Sequence, residues 1–131
     1  MIGLDTNILV RYLTQDDPVQ SRQVTELIER RLTGEEPGFV SVVVMAETVW
    51  VLERAYRFSD NDIAAAIEHM LQIGVLVVDS EQEIFTAMTA LRQGHGSFGD
   101  ALIAALSAKA GCSRTLTFDR KALRLAGFEL P

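Results

Sequence analysis

The sequence predicts an α/β protein with a three-layer α/β/α architecture, in which a central parallel sheet of four to five short strands lies between helices. Short apolar runs typical of buried strands alternate with longer segments of helical periodicity, as in parallel strands joined by crossover helices. The 131 residues are 48% hydrophobic and 23% charged, a composition typical of a globular protein. We therefore expect a single domain over residues 1–131.

The strands are predicted where short apolar runs are bounded by turn or capping residues. They are residues 2–4, 39–40, 75–78 and 115–118, and residues 128–130 are a candidate fifth strand at the edge. Ligands bind such parallel sheets outside the carboxyl ends of the strands, so residues directly after each strand are candidates for a site.

The helices are predicted from capping residues and apolar periodicity. They cover residues 7–13 and 43–56 and the segments from Pro18 to Gly34, from Ser59 to Ile73, from Ser80 to Arg92 and from Asp100 to Gly111, and a short basic helix begins at Asp119. Asp17, Ser41 and Ser80 are predicted caps. Residues 93–99 form a glycine-rich loop between the last two long helices.

Composition excludes several kinds of protein. Cys112 is the only cysteine, which excludes an internal disulfide and argues against a cysteine-based zinc site. No apolar run is long enough to cross a bilayer and the N-terminus lacks a signal-peptide pattern, so we expect a cytoplasmic protein that does not bind membranes.

The net charge of −6 opposes non-specific binding to nucleic acid. The opposition weakens if four of the acidic residues hold a metal ion, because −2 then remains for the rest of the chain. Arg120, Lys121 and Arg124 cluster near the C-terminus and can either grip phosphate or form a solvated helix face.

Four carboxylates, Asp5, Glu47, Asp100 and Asp119, lie where short apolar segments end or are interrupted. Each of the aspartates, taken alone, is better explained as a helix cap than as a metal ligand. Glu47 is different, because it lies inside its helix with apolar residues three and four positions away on both sides. An ionised carboxylate on a buried apolar face requires a cation or an ion-pair partner, and Arg54 is the alternative partner.

Asp100 begins a helix with almost no other polar residues, so we expect its first turn to be packed near the interior. Acidic groups gathered with few counter-charges repel one another unless a divalent cation is bound. Ligands that are all oxygen select Mg²⁺ or Mn²⁺ over zinc. We expect His69 on a helix surface and His95 in a loop, and neither as a ligand.

A magnesium site rimmed by carboxylates suits attack of water on a phosphodiester, which is nuclease chemistry. Four segments carry a resemblance that agrees with this interpretation: Asp5-Thr6-Asn7 after the first strand, Glu47 within Met-Ala-Glu-Thr, residues 99–105 (GDALIAA) and residues 115–119 (TLTFD). In this order and spacing they resemble a PIN domain, most closely the VapC-like toxins of prokaryotic toxin-antitoxin pairs. The resemblance covers essentially the whole chain.

The resemblance implies a Mg²⁺-dependent endoribonuclease, with Mn²⁺ as a substitute, that cuts single-stranded RNA. It also implies a small antitoxin protein as inhibitor, and a homodimer. Asp5, Glu47, Asp100 and Asp119 match the acidic quartet of the family, with Asp5 and Asp100 as principal metal ligands. Thr6 and Asn7 would support these ligands, and Thr117 would orient metal-bound water or phosphate.

Two other classes of protein remain open at the level of the sequence. One is a non-catalytic PIN-like scaffold that only binds a partner, which need not bind Mn²⁺. The other is a phospho-receiver module with Asp79 as acceptor, although Thr6 and Asn7 replace the acidic pair that such a module needs after its first strand.

Overall fold

The computed structural model describes residues 1–131 in two compact units. The first unit comprises residues 1–59 and 69–79, and the second comprises residues 60–68 and 80–131. None of the helices is both long enough and apolar enough to span a bilayer.

The first unit is a parallel sheet with helices in its connections. Its elements are β1 (Ile2–Gly3), α1 (Thr6–Thr14), α2 (Pro18–Glu26), β2 (Gly38–Val40), α3 (Val42–Ala55), the end of α4 (Asp60–Gln72) and β3 (Leu76–Val78). The strand order is β1-β2-β3, with all pairs parallel. The carboxyl ends of the three strands therefore point in one direction, and Asp5, Ser41 and Asp79 follow them.

Gly38 is required at the centre of this sheet, where it pairs with Ile2 on one side and Leu76 on the other. A Cβ at this position would lie 2.8 Å from Leu4 Cδ1 and 2.9 Å from Leu32 Cδ1. Leu4 and Leu32 are both buried, so neither side chain could move away without disturbing the core.

Capping explains where the helices of the first unit begin. Asp17 accepts hydrogen bonds from the backbone N–H groups of Val19 and Gln20, and Pro18 is the first helical residue, as predicted. Ser41 accepts from Val44 N at 3.1 Å and begins α3, also as predicted. After α2 the chain continues as a π-helical turn over Leu27–Arg31, so the α-helix predicted to reach Gly34 ends earlier.

The second unit is built on two helices and a pair of parallel strands. Its elements are the start of α4, α5 (Glu81–Arg92), α6 (Phe98–Lys109), β4 (Thr115–Leu116), a 3₁₀ turn (Ala122–Arg124) and β5 (Phe128–Glu129). The apolar faces of α5 and α6 supply its core. The buried side chains there are Ile84, Ala87, Met88, Leu91, Phe98, Ala101 and Leu102.

The α/β class and the short parallel strands are confirmed, but the five strands form a three-stranded sheet in the first unit and a two-stranded sheet in the second, and not the one central sheet predicted. Three local predictions are wrong. Ser80 does not cap α5: its φ is 57° and its side chain makes no capping bond, and its hydroxyl instead accepts from Lys109 Nζ at 3.1 Å. The basic helix begins at Ala122 rather than Asp119, and β4 ends at Leu116 rather than Phe118.

Candidate active site

Asp5 lies at the carboxyl end of β1 and caps α1. Its Oδ1 accepts a hydrogen bond from Thr6 N at 2.8 Å, while the side chain of Thr6 is buried. The residue is exposed, and this bond uses only one of its two carboxylate oxygens. Asp5 can therefore serve both as the cap and as a ligand.

Glu47 lies in the second turn of α3, the helix that follows β2. Because β1 and β2 are neighbouring parallel strands, Asp5 and the start of α3 lie toward the same edge of the sheet. The expectation that Glu47 lies on a buried face is wrong: Glu47 is exposed, and so are Val43 (73%) and Trp50 (56%) on the same stripe. The apolar residues around it in sequence therefore do not desolvate its carboxylate.

Arg54, the alternative partner of Glu47, makes a different contact. Its guanidinium lies over the Trp50 ring, 5.5 Å from the ring centroid. None of the four ion pairs involves Glu47. The carboxylate of Glu47 thus remains free to bind a cation, although burial no longer demands one.

Asp100 lies in the first turn of α6 and is not its cap. The helix begins at Phe98, two residues earlier than predicted, and Ser97 Oγ caps it by accepting from Asp100 N at 3.1 Å. Asp100 is half-buried, whereas Ala101 and Leu102 beside it are buried. The capping explanation for Asp100 is therefore removed, and the positive end of the helix dipole favours its negative charge.

Asp119 follows β4 in a tight polar turn. Its Oδ1 accepts from Lys121 N at 2.9 Å, and its own N–H donates to Thr117 Oγ1 at 3.0 Å. Thr117 N in turn donates to Glu129 O at 2.9 Å, which ties this turn to β5. The Thr117 hydroxyl therefore holds the backbone that presents Asp119.

The structure brings Asp100 and Asp119 together. Both line one cavity of about 420 Å³. The other lining residues are Gly94, His95, Gly96, Ser97, Lys121 and Arg124. Two carboxylates beside two cationic side chains form a site that can hold a cation and a phosphate at once.

His95 lies in the loop between α5 and α6, as expected, and it also lines this cavity. The next residue packs closely against the 3₁₀ turn that ends the cavity wall, since a Cβ on Gly96 would lie 2.8 Å from Leu125 Cδ1. His95 and Arg124 also line a second, mostly apolar cavity of about 410 Å³ along the alanines of α6.

The chemistry of the donors fits a hard divalent cation, since the carboxylates of Asp100 and Asp119 and the Ser97 hydroxyl are all oxygen groups. No group of three or more His, Cys, Asp or Glu side chains is clustered for a metal ion. A metal centre that uses all four acids therefore stays a prediction.

Comparison with known proteins defines the class. The PIN domain family model matches residues 2–128, so this chain belongs to the PIN domain family. The chain is also 27% identical over 127 residues to a VapC ribonuclease of Aquifex aeolicus (strain VF5), a match that covers 96% of this chain and 92% of the relative. Membership of the PIN family contradicts the phospho-receiver alternative, so Asp79 is not a phosphate acceptor of that kind.

Proposed function

We propose that this chain is a VapC-like toxin: a metal-dependent endoribonuclease that hydrolyses RNA phosphodiester bonds and is neutralised by a cognate antitoxin. Membership of the PIN family and the similarity to a VapC ribonuclease support a nuclease. The observation that carries the proposal is the cavity that Asp100 and Asp119 line together with Lys121 and Arg124. Metal-assisted phosphodiester hydrolysis uses this combination of anionic metal ligands and cationic phosphate contacts.

In this proposal Asp5 and Asp100 are the principal ligands of Mg²⁺ or Mn²⁺, and Glu47 and Asp119 complete the set. An ion held by these residues would supply activation of water and stabilisation of the developing negative charge. Lys121 and Arg124 hold the phosphate, and Thr117 keeps the Asp119 turn in place.

Thr6 and Asn7 support Asp5 in different ways. Thr6 is buried and its backbone N–H is already bonded to the Asp5 carboxylate, so it orients that group. Asn7 is exposed one residue further along α1, where its amide can contact substrate or bound water.

The distribution of charge supports an anionic substrate despite the net charge of −6. Residues 114–124 contain four basic residues and one acidic residue, which is a local charge of +3. This segment includes both cations of the Asp100–Asp119 cavity. Attraction of RNA to one basic segment does not require a basic protein.

Cleavage of a fluorescent single-stranded RNA tests the proposal. We expect the wild-type chain to cut with Mg²⁺ or Mn²⁺ and not with EDTA. Asp5→Asn and Asp100→Asn should lower the rate at least about 100-fold, since the loss of a group that stabilises transition-state charge costs this much. Glu35→Gln, which removes an equal charge from an exposed turn, is the matched control.

Two results would contradict the assignment: cleavage unaffected by EDTA, or Asp100→Asn cutting as fast as wild type. The remaining alternative, a non-catalytic scaffold, predicts no cleavage and no need for Mn²⁺. Titration with Mn²⁺ separates the two, because only the enzyme requires carboxylates that bind the ion.

Partner binding is the second half of the proposal. Induced expression of the wild-type chain should arrest cell growth, whereas Asp5→Asn should not, and co-expression of the cognate antitoxin should restore growth. We also propose a homodimer, for which light scattering should give twice the mass of 14.5 kDa.

A further inference from the structure

Phe118 is the most exposed large apolar side chain of the chain, at 86% exposure. Aromatic rings are usually buried, and the ring of Phe98 in the same unit is only 1% exposed. Leu116, two residues earlier, is also exposed, whereas Thr115 and Thr117 are half-buried. Phe118 therefore places a bare aromatic surface in solvent.

The backbone on both sides of Phe118 is ordered. Thr117 N is bonded to Glu129 O at 2.9 Å, and Asp119 N is bonded to Thr117 Oγ1 at 3.0 Å. Consecutive Cα atoms are about 3.8 Å apart, so the ring is attached next to a carboxylate that lines the candidate active site. An exposed ring held on such a backbone loses little entropy when it binds a ligand.

The surroundings of Phe118 are cationic. Arg120, Lys121 and Arg124 follow it within six residues, are exposed, and take part in none of the ion pairs. Arg114, by contrast, is 3.6 Å from Glu129. An apolar protein partner would have to desolvate three unpaired cations, which is costly. A single-stranded nucleic acid, by contrast, has bases that can stack on the Phe118 ring and phosphates that can pair with the cations.

We propose that Phe118 is a stacking platform for an unpaired RNA base next to the phosphate that Lys121 and Arg124 hold in the Asp100–Asp119 cavity. This inference rests on the proposed ribonuclease function and deepens it. Bases within a duplex are already stacked on their neighbours, so only a base released from the helix can cover the ring. Phe118 thus favours single-stranded RNA at the site, while Arg120, Lys121 and Arg124 contact its phosphates.

Binding can be measured without cleavage in an Asp100→Asn background. The probe is a short single-stranded RNA with one 2-aminopurine, whose fluorescence falls when the base stacks. We expect Phe118→Ala to weaken binding about 5- to 150-fold, the range for loss of one base-aromatic stack, and to abolish the quenching. Phe118→Trp and Phe118→Tyr should retain both, whereas Phe118→Leu, which is apolar without an aromatic face, should not.

Phe85→Ala is the matched control, because Phe85 belongs to the same unit and is 55% exposed but has no basic cluster beside it. It should bind RNA as the parent does. In the active wild-type background, Phe118→Ala should raise KM with a smaller change in kcat, and a blunt RNA duplex should bind both proteins equally weakly.

The outcomes separate this inference from the proposed function. If wild type cuts RNA and Phe118→Ala cuts with the same KM, the stacking role is wrong and the ribonuclease stands. If Phe118→Ala keeps its RNA affinity but loses dimer mass in light scattering, the ring is a protein contact instead. If wild type cuts no RNA, the proposed function fails, and an unquenched probe in the binding assay then rejects the stacking role as well.

Discussion

At the scale of the residue, exposure rather than burial distinguishes the candidate groups. Glu47 was singled out because apolar residues surround it in sequence, yet α3 exposes Val43, Glu47 and Trp50 together. Helical periodicity identifies residues that share a face, but it does not tell which face the protein covers. For Asp100, in contrast, the expected burial is partly observed: the residue is half-buried at the start of an apolar helix that the sequence predicts.

A second residue-scale feature is the cluster of Arg11, Asp16 and Tyr56 in the first unit. The Tyr56 hydroxyl donates to Asp16 Oδ2 at 2.6 Å, and Arg11 lies 3.2 Å from the same carboxylate. The hydrogen bond from Tyr56, followed by one from Thr14, lowers the pKa of Asp16 below its usual value. Asp16 therefore stabilises the fold above its unfolded-state pKa, and this contribution disappears as the pH falls through the folded-state pKa.

Removing the Tyr56 hydroxyl tests this linkage. In Tyr56→Phe we expect the pKa of Asp16 to move up toward its ordinary value, measured by NMR titration of the side-chain carboxyl carbon. The free energy of unfolding should then fall less between neutral and acidic pH than it does in wild type. Tyr12→Phe removes a hydroxyl that is bonded to Glu29 and should leave Asp16 unchanged. An unaltered Asp16 titration in Tyr56→Phe would contradict the assignment.

At the scale of the element, the start of α6 decides where Asp100 points. Ser97 was part of a predicted loop, and the sequence placed the cap three residues later because aspartate is an equally good capping residue. Packing therefore decides which of two suitable residues, Ser97 or Asp100, caps the helix. Phe98 is only 1% exposed. Burial of this ring in the first turn of α6 places the cap at Ser97, the residue before it.

The capping bond makes a prediction for this element. Ser97→Ala should lower the free energy of unfolding by about 1 kcal/mol, because the Asp100 N–H loses its acceptor. Urea denaturation measures this change, and the RNA cleavage rate should fall beyond what the loss of stability explains, since the first turn positions Asp100. Ser97→Thr keeps a hydroxyl acceptor and should restore both quantities. Full activity in Ser97→Ala would show that the cap does not position Asp100.

At the scale of the whole molecule, the structure divides into two compact units, whereas the sequence predicts one domain. The family match over residues 2–128 covers both units, and α4 contributes residues to each of them. Units of about 60 to 70 residues bury only part of their surface and are marginally stable alone. We therefore propose that residues 1–131 unfold as one domain.

The chain has one tryptophan, Trp50, and one cysteine, Cys112, which lie in different units. Each can therefore report the unfolding of its own unit, and together they test this proposal. Urea unfolding followed by Trp50 fluorescence and by a fluorophore on the exposed Cys112 should give the same midpoint. Midpoints that differ beyond error would show two domains. Circular dichroism of the labelled protein checks that the label does not itself disturb folding.

The sequence by itself determined the α/β class, the caps at Asp17 and Ser41, and the identity of the four candidate acids, because capping, periodicity and segment ends are local properties. Only the tertiary structure decided that Glu47 is exposed, that Asp100 lies inside a helix capped by Ser97, and that Asp100 shares a cavity with Asp119. Burial and proximity depend on contacts between residues far apart in the chain, and no local pattern encodes them. Phe118 illustrates this difference, because the sequence shows that an aromatic residue stands beside three cations, but only the structure shows that its ring is exposed.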